Sequence, residues 1–442
     1  MSVIEVLSKP VSLPCGAVLL NRIAKAAMTE GLCPGKNEAN DRIVNLYRRW
    51  GKGGAGLLIT GNVLVDRWHL ERGGNLAIEG EQSVSALATL SEMATVAKAG
   101  GSQIWMQLNH AGRQTQKMIN RNPKAPSNIG LKMGNGRFGK PTPLTSEEIG
   151  QLIEKFVYAA QVAQKTGFDG VQIHAAHGYL SSQFLSGLSN KREDEWGGSL
   201  ANRARFLIEI VRRTRARVPE PFAVAVKLNS ADFQRGGFSE EDSITVAGWL
   251  QQAGCDLIEV SGGNYEQPRM INFDRKDPLG QKSQDKRRES TIRREAYFLD
   301  FIPKLKAAVT IPIMVTGGFR TAAAMAEAIV ADDADVIGIG RPMALDPEAA
   351  AKLLSGEIDR LESRDDDLVI GSGLFGPKSP ISFLRDLNAW GSLGWYYEHI
   401  YSLADGKKPD RNLSPFRALL AYDRTESRTA RQVVRTDSTK PE

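Results

Sequence analysis

Short apolar runs alternate along the chain with longer segments in which apolar residues recur at helical spacing. The runs predict eight strands, at residues 22–28, 56–63, 103–109, 168–174, 222–229, 256–261, 311–316 and 335–340. Their nearly continuous apolar character indicates that both faces of each strand are buried. The helical spacing predicts helices between the strands, most clearly at residues 146–166, 200–217, 239–253, 296–307 and 321–331.

Eight strands that alternate with helices favour one closed (β/α)₈ TIM barrel over a row of small domains. An open doubly wound sheet is the alternative, but it normally carries a GxGxxG turn after its first strand. Here the first strand is followed by Thr-Glu-Gly-Leu-Cys. We therefore expect an α/β barrel at residues 5–350, a helical, aromatic-rich extension at 351–424 and a disordered polar tail at 425–442.

Two further features lie outside the strand–helix repeat. The stretch 114–145, after the third strand, is rich in Asn, Gly and Pro. A long loop on a compact barrel typically forms a lid or binds a ligand. Five aromatic residues fall between Trp390 and Tyr401, and we expect this cluster to pack against the barrel or a second subunit, because it would aggregate if left in water.

The charge pattern and the cysteines narrow the classes of partner. The chain carries a net charge of +6, but its Lys and Arg are scattered and form no basic stripe with stacking aromatics, which argues against nucleic acid. Cys15, Cys33 and Cys255 form no CxxC pair, which argues against disulfides and a cysteine-rich metal site. No signal peptide or membrane-spanning run is evident. We expect a cytoplasmic protein that acts on small molecules, as a monomer or a homo-oligomer.

The ends of the last two predicted strands carry a candidate phosphate site. Gly317 and Gly318 follow the seventh strand, and Gly340 and Arg341 follow the eighth. Glycines let backbone N–H groups approach a phosphate closely, and barrel enzymes often bind phosphate between these two loops. The arginine adds a fixed cation. The alternative is that the glycines only permit tight turns.

A cofactor anchored there would extend its ring over the barrel centre. Gln107 and Lys227 lie on the third and fifth strands, where an amide suits the pyrimidine edge of a flavin and an ammonium stabilises the reduced flavin anion. Lys227 could instead form an ion pair with Glu259. Ala26, Ala27 and Gly61 are small residues that leave room for a flat ring, and Thr29 offers a hydroxyl to a ring carbonyl. Met28, between Ala27 and Thr29, is placed in the same candidate cofactor site.

His174, His177 and Tyr179 follow the fourth strand as HxxHxY. If the turn after the strand is helical, both imidazoles face one side and can donate hydrogen bonds to one carbonyl or nitro oxygen. Tyr179 is then close enough to act as a proton donor. The histidines could instead be structural. A metal site needs further ligands, and no metal is expected.

These motifs resemble the old yellow enzyme family of NADH:flavin oxidoreductases across residues 5–350. The matching segments are Asn21-Arg-Ile, Met28-Thr29, Gln107–Arg113, Gly170–Leu180, Gly197–Arg203, Gly317-Gly-Phe and Ile339–Pro342. The resemblance implies non-covalent FMN that is reduced by NADPH or NADH and reoxidised by an activated alkene. It implies that His174 and His177 hold the electron-withdrawing oxygen, that the flavin N5 delivers hydride and that Tyr179 protonates the α-carbon.

The chain departs from the family pattern in two ways. The family usually has an arginine in the place of Lys227, so the positive charge is kept but the bidentate fork is not. Relatives with an iron–sulfur cluster carry a cysteine cluster after the barrel, which this sequence lacks. The chain therefore resembles the single-domain branch of the family.

Three other functions fit part of the pattern. An NAD(P)H oxidase or dehydrogenase would use the same flavin with oxygen, a quinone or another acceptor. A flavin-free aldolase or isomerase would need Lys227 as a Schiff-base residue, which leaves Gln107 and the histidine pair unexplained. A flavin-binding protein without catalysis would not need His174, His177 and Tyr179 together.

Overall fold

The computed structural model describes residues 1–131, 136–263, 299–364, 367–377 and 379–436. Its strands, numbered in chain order, are β1 Val11–Ser12, β2 Val18–Leu19, β3 Ile23–Lys25, β4 Leu57–Ile59, β5 Val63–Leu64, β6 Leu76–Ala77, β7 Gln103–Asn109, β8 Lys124–Ala125, β9 Thr142–Pro143, β10 Gly170–Ala175, β11 Ala223–Asn229, β12 Leu257–Ser261, β13 Ile313–Thr316 and β14 Val336–Ile339. Eight of them form a closed parallel barrel in the order β3–β4–β7–β10–β11–β12–β13–β14, and β14 pairs with β3.

All eight predicted strands are present, and the predicted (β/α)₈ barrel is confirmed. Several are shorter than the apolar runs that predicted them. The first, for example, ends at Lys25 instead of residue 28. Ala26 still donates a backbone hydrogen bond to Ile339, and the residues after it belong to the loops at the carboxyl end of the barrel.

The hairpin of β1 and β2 closes the amino end of the barrel. Its side chains Val11, Leu13 and Leu19 share one buried cluster with residues near the strand starts, among them Leu57, Trp105, Ala223, Leu257 and Val336. Because this end is filled by apolar side chains, a ligand can enter only at the carboxyl ends of the strands. That is where (β/α)₈ enzymes form their active sites.

Helices surround the barrel. They are α1 Val3–Leu7, α2 Asp41–Gly51, α3 Val84–Ala97, α4 Ser146–Lys165, α5 Leu180–Leu185, α6 Leu200–Arg217, α7 Glu240–Gln252, α8 Ile302–Lys306, α9 Ala322–Val330, α10 Pro342–Leu345, α11 Ala349–Ser355, α12 Ser382–Ala404 and α13 Pro415–Thr436. Four predicted barrel helices match closely; for the fifth, at 296–307, residues 296–298 lie outside the described residues. Thr145 and Glu148 form a capping box at the start of α4. None of the described helices is long and apolar enough to span a membrane.

The expectation of a disordered tail from residue 425 is wrong for residues 425–436, because α13 continues to Thr436. The polar composition concealed one buried face of this helix. Ala430 and Val433 share a cluster with Leu64 and Leu70 of the barrel domain, and Glu426 pairs with the buried Arg72. These contacts recur at helical spacing and hold the helix on the barrel. Residues 437–442 lie outside the described residues.

The long loop after β7 is tied to both the barrel and the extension. Within it, β8 and β9 form a short parallel pair, and residues 132–135 lie outside the described residues. The guanidinium of Arg137 lies 4.6 Å from the ring centroid of Trp390 in α12, within the range of a cation–π contact. The loop therefore contacts the extension, and its role as a lid stays a prediction.

Candidate active site

The loops after β13 and β14 form one side of the open barrel end. Gly317 and Gly318 have φ angles of 116° and 99°, which residues with a side chain rarely adopt. Their amides donate no backbone hydrogen bond to any described residue. Two adjacent N–H groups without a backbone acceptor among the described residues, in a turn whose φ angles favour glycine, fit a phosphate-binding turn.

Gly340 and Arg341 follow β14 beside this turn. Among the described residues, a Cβ atom added at Gly340 would meet only the sulfur of Met28, at 3.9 Å, so described atoms leave space beside this glycine. The guanidinium of Arg341 lies 5.8 Å from the ring centroid of Tyr396 in α12. The arginine therefore lies between the candidate phosphate site and the C-terminal extension.

Four polar side chains inside the barrel form a hydrogen-bonded row across four adjacent strands. Gln107 donates to Gln172 at 2.7 Å, and Gln172 donates to Glu259 at 2.7 Å. Lys227 completes the row with its ammonium 2.8 Å from the same carboxylate. The parallel register explains the row, because it pairs Gln172 with Gln107 and Lys227 with Glu259.

The sequence left open whether Lys227 would contact a cofactor or form an ion pair with Glu259, and the structure shows the ion pair. The two roles are compatible. The ammonium of Lys227 has three hydrogens and the side-chain amide of Gln107 has two, and the row uses one hydrogen of each. Gln107 and Lys227 therefore retain hydrogen-bonding capacity beyond the row. The carboxylate compensates much of the charge that the lysine would offer to a reduced flavin.

The loops after β3 and β4 are packed directly against each other. Ala27 and Met28 are half-buried there and contact the core. A Cβ atom at Gly61 would overlap the backbone of Met28 and Thr29. The explanation that Gly61 leaves room for a flat ring is therefore wrong, because protein atoms fill that space. Its amide donates to Glu30 at 2.8 Å.

Thr29 was expected to face a ring carbonyl. In the structure its hydroxyl donates to Glu71 at 2.8 Å, and Asn62 donates to the same carboxylate oxygen at 2.7 Å. The amide nitrogen of Asn62 also lies 3.4 Å from the hydroxyl of Tyr179. Asn62 and Glu71 were not predicted from the sequence. Asn62 could have been noticed because it follows a strand end, whereas nothing local marks Glu71.

His174, His177 and Tyr179 come together at the end of β10. The ring centroids of His174 and His177 are 5.0 Å apart, and those of His174 and Tyr179 are 4.9 Å apart. The turn does not meet the condition of being helical, because His177 and Gly178 have φ angles of 61° and 79°. A left-handed turn brings the two imidazoles together instead.

Hydrogen bonds constrain the proton on each imidazole. His174 accepts the amide of Ala176 at its Nδ1, which leaves the proton of the neutral ring on Nε2. His177 Nε2 lies 2.7 Å from the hydroxyl of Ser261. If Ser261 donates this bond, the Nδ1–H of His177 is left to donate to a ligand. Ser261, at the end of β12, was not predicted as a site residue either.

Burial lowers the pKa of both histidines well below the ordinary value, and the positive charge of Lys227 lowers the pKa further; for His174, His177 adds to this effect. Both rings are therefore neutral near pH 7. A neutral imidazole has one N–H and one acceptor nitrogen, so His174 can donate to an oxygen through Nε2, and His177 can donate through Nδ1 in the tautomer in which Ser261 donates to its Nε2.

Within the described part of the chain, one cluster of three groups could hold a metal ion: Asp66, His69 and His110. Its contacts are those of a hydrogen-bonded chain instead. His69 bonds Asp66 through Nδ1 at 2.9 Å and accepts the amide of Lys124 at Nε2. The ammonium of Lys155 lies 2.9 Å from Asp66 and would repel a cation. We assign this cluster a structural role.

Comparison with known proteins identifies the family. A family model described as the NADH:flavin oxidoreductase / NADH oxidase family matches residues 7–359. The chain belongs to this family. It is a flavin-dependent NADH oxidoreductase, and the flavin of the family is FMN.

Individual relatives agree with this assignment. The chain is 38% identical over 361 residues to the NADH-dependent flavin oxidoreductase iliE of Hypocrea jecorina. The match covers 77% of this chain and 86% of the relative. A 2-naphthoyl-CoA reductase structure matches with a TM-score of 0.71 and 26% identity, over 81% of this chain and 54% of that one. An old yellow enzyme homologue from Zymomonas mobilis has the same fold, with a TM-score of 0.65, 24% identity and coverage of 81% and 94%.

Proposed function

We propose that the protein reduces activated C=C bonds of α,β-unsaturated carbonyl or nitro compounds with electrons from NADH or NADPH. The observation that carries this proposal is the meeting of two neutral histidines and a tyrosine at the open end of a barrel whose glycine turn fits the phosphate of FMN. Bound FMN supplies the hydride. We also propose a cytoplasmic location, in keeping with three buried cysteines that form no disulfide.

Gly317, Gly318, Gly340 and Arg341 would hold the phosphate of FMN, and Gln107 and Lys227 would contact its ring. The amides of the glycine turn, which have no backbone acceptor among the described residues, support the first assignment, and the position of Gln107 and Lys227 inside the barrel supports the second. Ala27, Met28 and Thr29 border the same open end. Gly61 contributes to the site by allowing its loop to pack closely against Met28 and Thr29.

His174 and His177 would bind the carbonyl or nitro oxygen of the substrate. Each neutral ring offers one N–H, and two donors on one oxygen withdraw electrons from the conjugated double bond. As hydride adds to the β-carbon, negative charge develops on this oxygen. The two N–H groups stabilise that charge more strongly than they stabilise the neutral ground state.

Tyr179 would donate a proton to the α-carbon. Its ring packs edge-on against His174 at 4.9 Å, so the phenol lies beside the position of an oxygen that the histidines bind. A carbon next to a carbonyl group is then within reach of the phenol. The hydride at the β-carbon and the proton at the α-carbon together amount to the addition of two hydrogen atoms across the C=C bond.

An NADH oxidase is the second candidate, and the family description names that activity as well. One experiment separates the two functions. The FMN-loaded protein is mixed with NADH and a cyclic enone, without oxygen, and the saturated ketone is measured. We expect stoichiometric ketone formation. NADH oxidation in air without ketone formation under anaerobic conditions would instead identify an oxidase.

A further inference from the structure

The family model ends at residue 359, yet the extension after it packs against a loop of the active site. This loop, residues 60–75 between β4 and β6, carries Arg72, which is 2% exposed. The guanidinium donates to Glu426 of α13 through Nε at 3.0 Å and Nη2 at 2.5 Å. Nη2 also donates to the hydroxyl of Tyr401 at 3.2 Å.

Aromatic rings of the extension enclose the same guanidinium. Its central carbon lies 3.9 Å from the ring centroid of Tyr397 and 5.0 Å from that of Tyr422, so both contacts are in the range of cation–π attraction. A Cβ atom at the next residue, Gly73, would overlap the backbone of α13. The extension therefore holds the 60–75 loop through a buried charge and through direct backbone packing.

The opposite side of the loop faces the candidate proton donor. Glu71, next to Arg72 in the chain, accepts hydrogen bonds from Thr29 and Asn62. A carboxylate accepts only, so it fixes the amide of Asn62 with its NH₂ group toward Glu71. That NH₂ group also lies 3.2 Å from the hydroxyl of Thr29 and 3.4 Å from the hydroxyl of Tyr179, so its two hydrogens face three acceptors. The orientation of Asn62 thus depends on Glu71, and its position depends on the loop.

We propose that Asn62 is a positioning residue for Tyr179, that Glu71 sets its orientation, and that the C-terminal extension keeps this arrangement in place through the Arg72–Glu426 ion pair. The inference rests on the proposed function of Tyr179. When the phenol gives its proton to the α-carbon, the O–H bond breaks, a C–H bond forms and a phenolate remains. An N–H group of Asn62 that turns from Thr29 to the phenol oxygen as negative charge develops there stabilises the phenolate and does not consume the phenol hydrogen.

The experiment measures two reactions of the reduced FMN-loaded enzyme in a stopped-flow instrument: oxidation by an enone, which needs a proton on carbon, and oxidation by a quinone, which does not. The variants are Asn62→Leu, Glu71→Gln and Glu426→Gln. We expect each to lower the ratio of enone rate to quinone rate about two- to tenfold, the effect of one hydrogen bond. Glu362→Gln is the matched control, because it removes the exposed ion pair with Arg411 within the same extension.

Two readouts exclude a merely structural effect. The alkaline limb of the pH profile for enone reduction should move to higher pH in Asn62→Leu. The phenolate of Tyr179 has then lost a hydrogen-bond donor, which raises the pKa of the phenol. In the background of Tyr179→Phe, Asn62→Leu should have no further effect on the ratio, since the two residues act through one hydroxyl. Tyr401→Phe removes a neutral contact to Arg72 and serves as the milder variant if Glu426→Gln does not fold; we expect it to lower the ratio in the same direction.

The outcomes separate the inference from the function on which it rests. A wild-type enone rate in Tyr179→Phe contradicts the proposed role of Tyr179 itself. A slow Tyr179→Phe enzyme, together with wild-type ratios in Asn62→Leu and Glu71→Gln, overturns the positioning role alone. Wild-type ratios in both Glu426→Gln and Tyr401→Phe overturn the contribution of the extension.

Discussion

The ammonium of Lys227 lies 2.8 Å from the carboxylate of Glu259, and neither side chain is more than 5% exposed. The pair lies inside the barrel, and the amide of Gln172 donates to the second carboxylate oxygen. A buried charge is tolerated only when it is paired and hydrogen-bonded. The pair thus links the stability of the barrel to the site that we propose for the FMN ring.

Replacing Lys227 by Met should lower the free energy of unfolding by about 3–5 kcal/mol, because Glu259 is then buried without a counterion. Urea denaturation of the FMN-free protein measures this loss. The double variant Lys227→Met/Glu259→Gln removes both charges and should recover most of the stability. Equal stability of the single and double variants would show that the carboxylate does not need the lysine.

The flavin should be FMN, bound without a covalent link, because the glycine turn offers amides to a terminal phosphate. Heat denaturation followed by chromatography of the supernatant identifies the released cofactor. Arg341→Ala should raise the Kd for FMN, since a charge-assisted hydrogen bond to phosphate is lost. Recovery of FAD, or flavin that stays with the precipitated protein, would contradict this assignment.

Replacing both His174 and His177 by Ala should slow enone reduction severely. Loss of one donor to a developing oxyanion costs on the order of 10²–10³ in rate, and this variant loses two. The content of bound FMN should stay at the wild-type level, since the phosphate turn lies on other strands. An enone rate close to wild type would remove the histidines from the site.

The buried histidines should destabilise the protein as the pH drops below about 6.5, the ordinary histidine pKa. The folded-state pKa of His177 is lowered by burial, so the unfolded chain binds a proton in this range that the folded chain does not, and unfolding is favoured. His110 and His174 act in the same direction.

Buried carboxyl groups with a raised pKa, such as Asp232, act in the opposite direction. The contribution of His177 to the pH dependence of stability must therefore be obtained by comparing a variant that lacks this histidine with the wild type. The free energy of unfolding of His177→Asn should change less steeply between pH 6.5 and pH 5 than that of the wild type. Parallel curves for the two proteins would mean that His177 is not held neutral by the fold.

The barrel could be predicted from the sequence because each strand is a continuous apolar run with a helical segment behind it. A strand such as Ala223–Asn229 needs no partner to be recognised, since its pattern is local. The site residues at strand ends, such as His174, follow from the same pattern. Their meeting at one end is a consequence of the parallel barrel.

The parts that the sequence did not predict depend on contacts between distant segments. Helix α13 has a polar composition, and its buried face makes sense only once Arg72 is seen to pair with Glu426, 354 residues away. Nothing in the sequence around Gly61 distinguishes a glycine that lets two loops pack closely from a glycine that leaves room for a ligand. Glu71 lies in an irregular segment, and its link to Tyr179 passes through Asn62 of another part of the loop.

Tyr179→Phe should slow enone reduction while flavin reduction by NADH stays close to wild type. Removing the hydroxyl deletes the proton donor beside His174 and keeps the ring that packs against that histidine. Quinone reduction should also persist, because it requires no proton on carbon. Stopped-flow measurement of the reductive and both oxidative half-reactions gives all three rates from one preparation.

The comparison between acceptors is what makes this variant decisive. A lost packing contact would lower the rates with the enone and the quinone together, whereas a lost proton donor lowers only the former. His174 and His177 remain in this variant, so the enone still binds and the KM should change less than kcat. Equal enone rates in Tyr179→Phe and wild type would assign the proton to another donor, such as water, and would leave the two histidines as the catalytic groups.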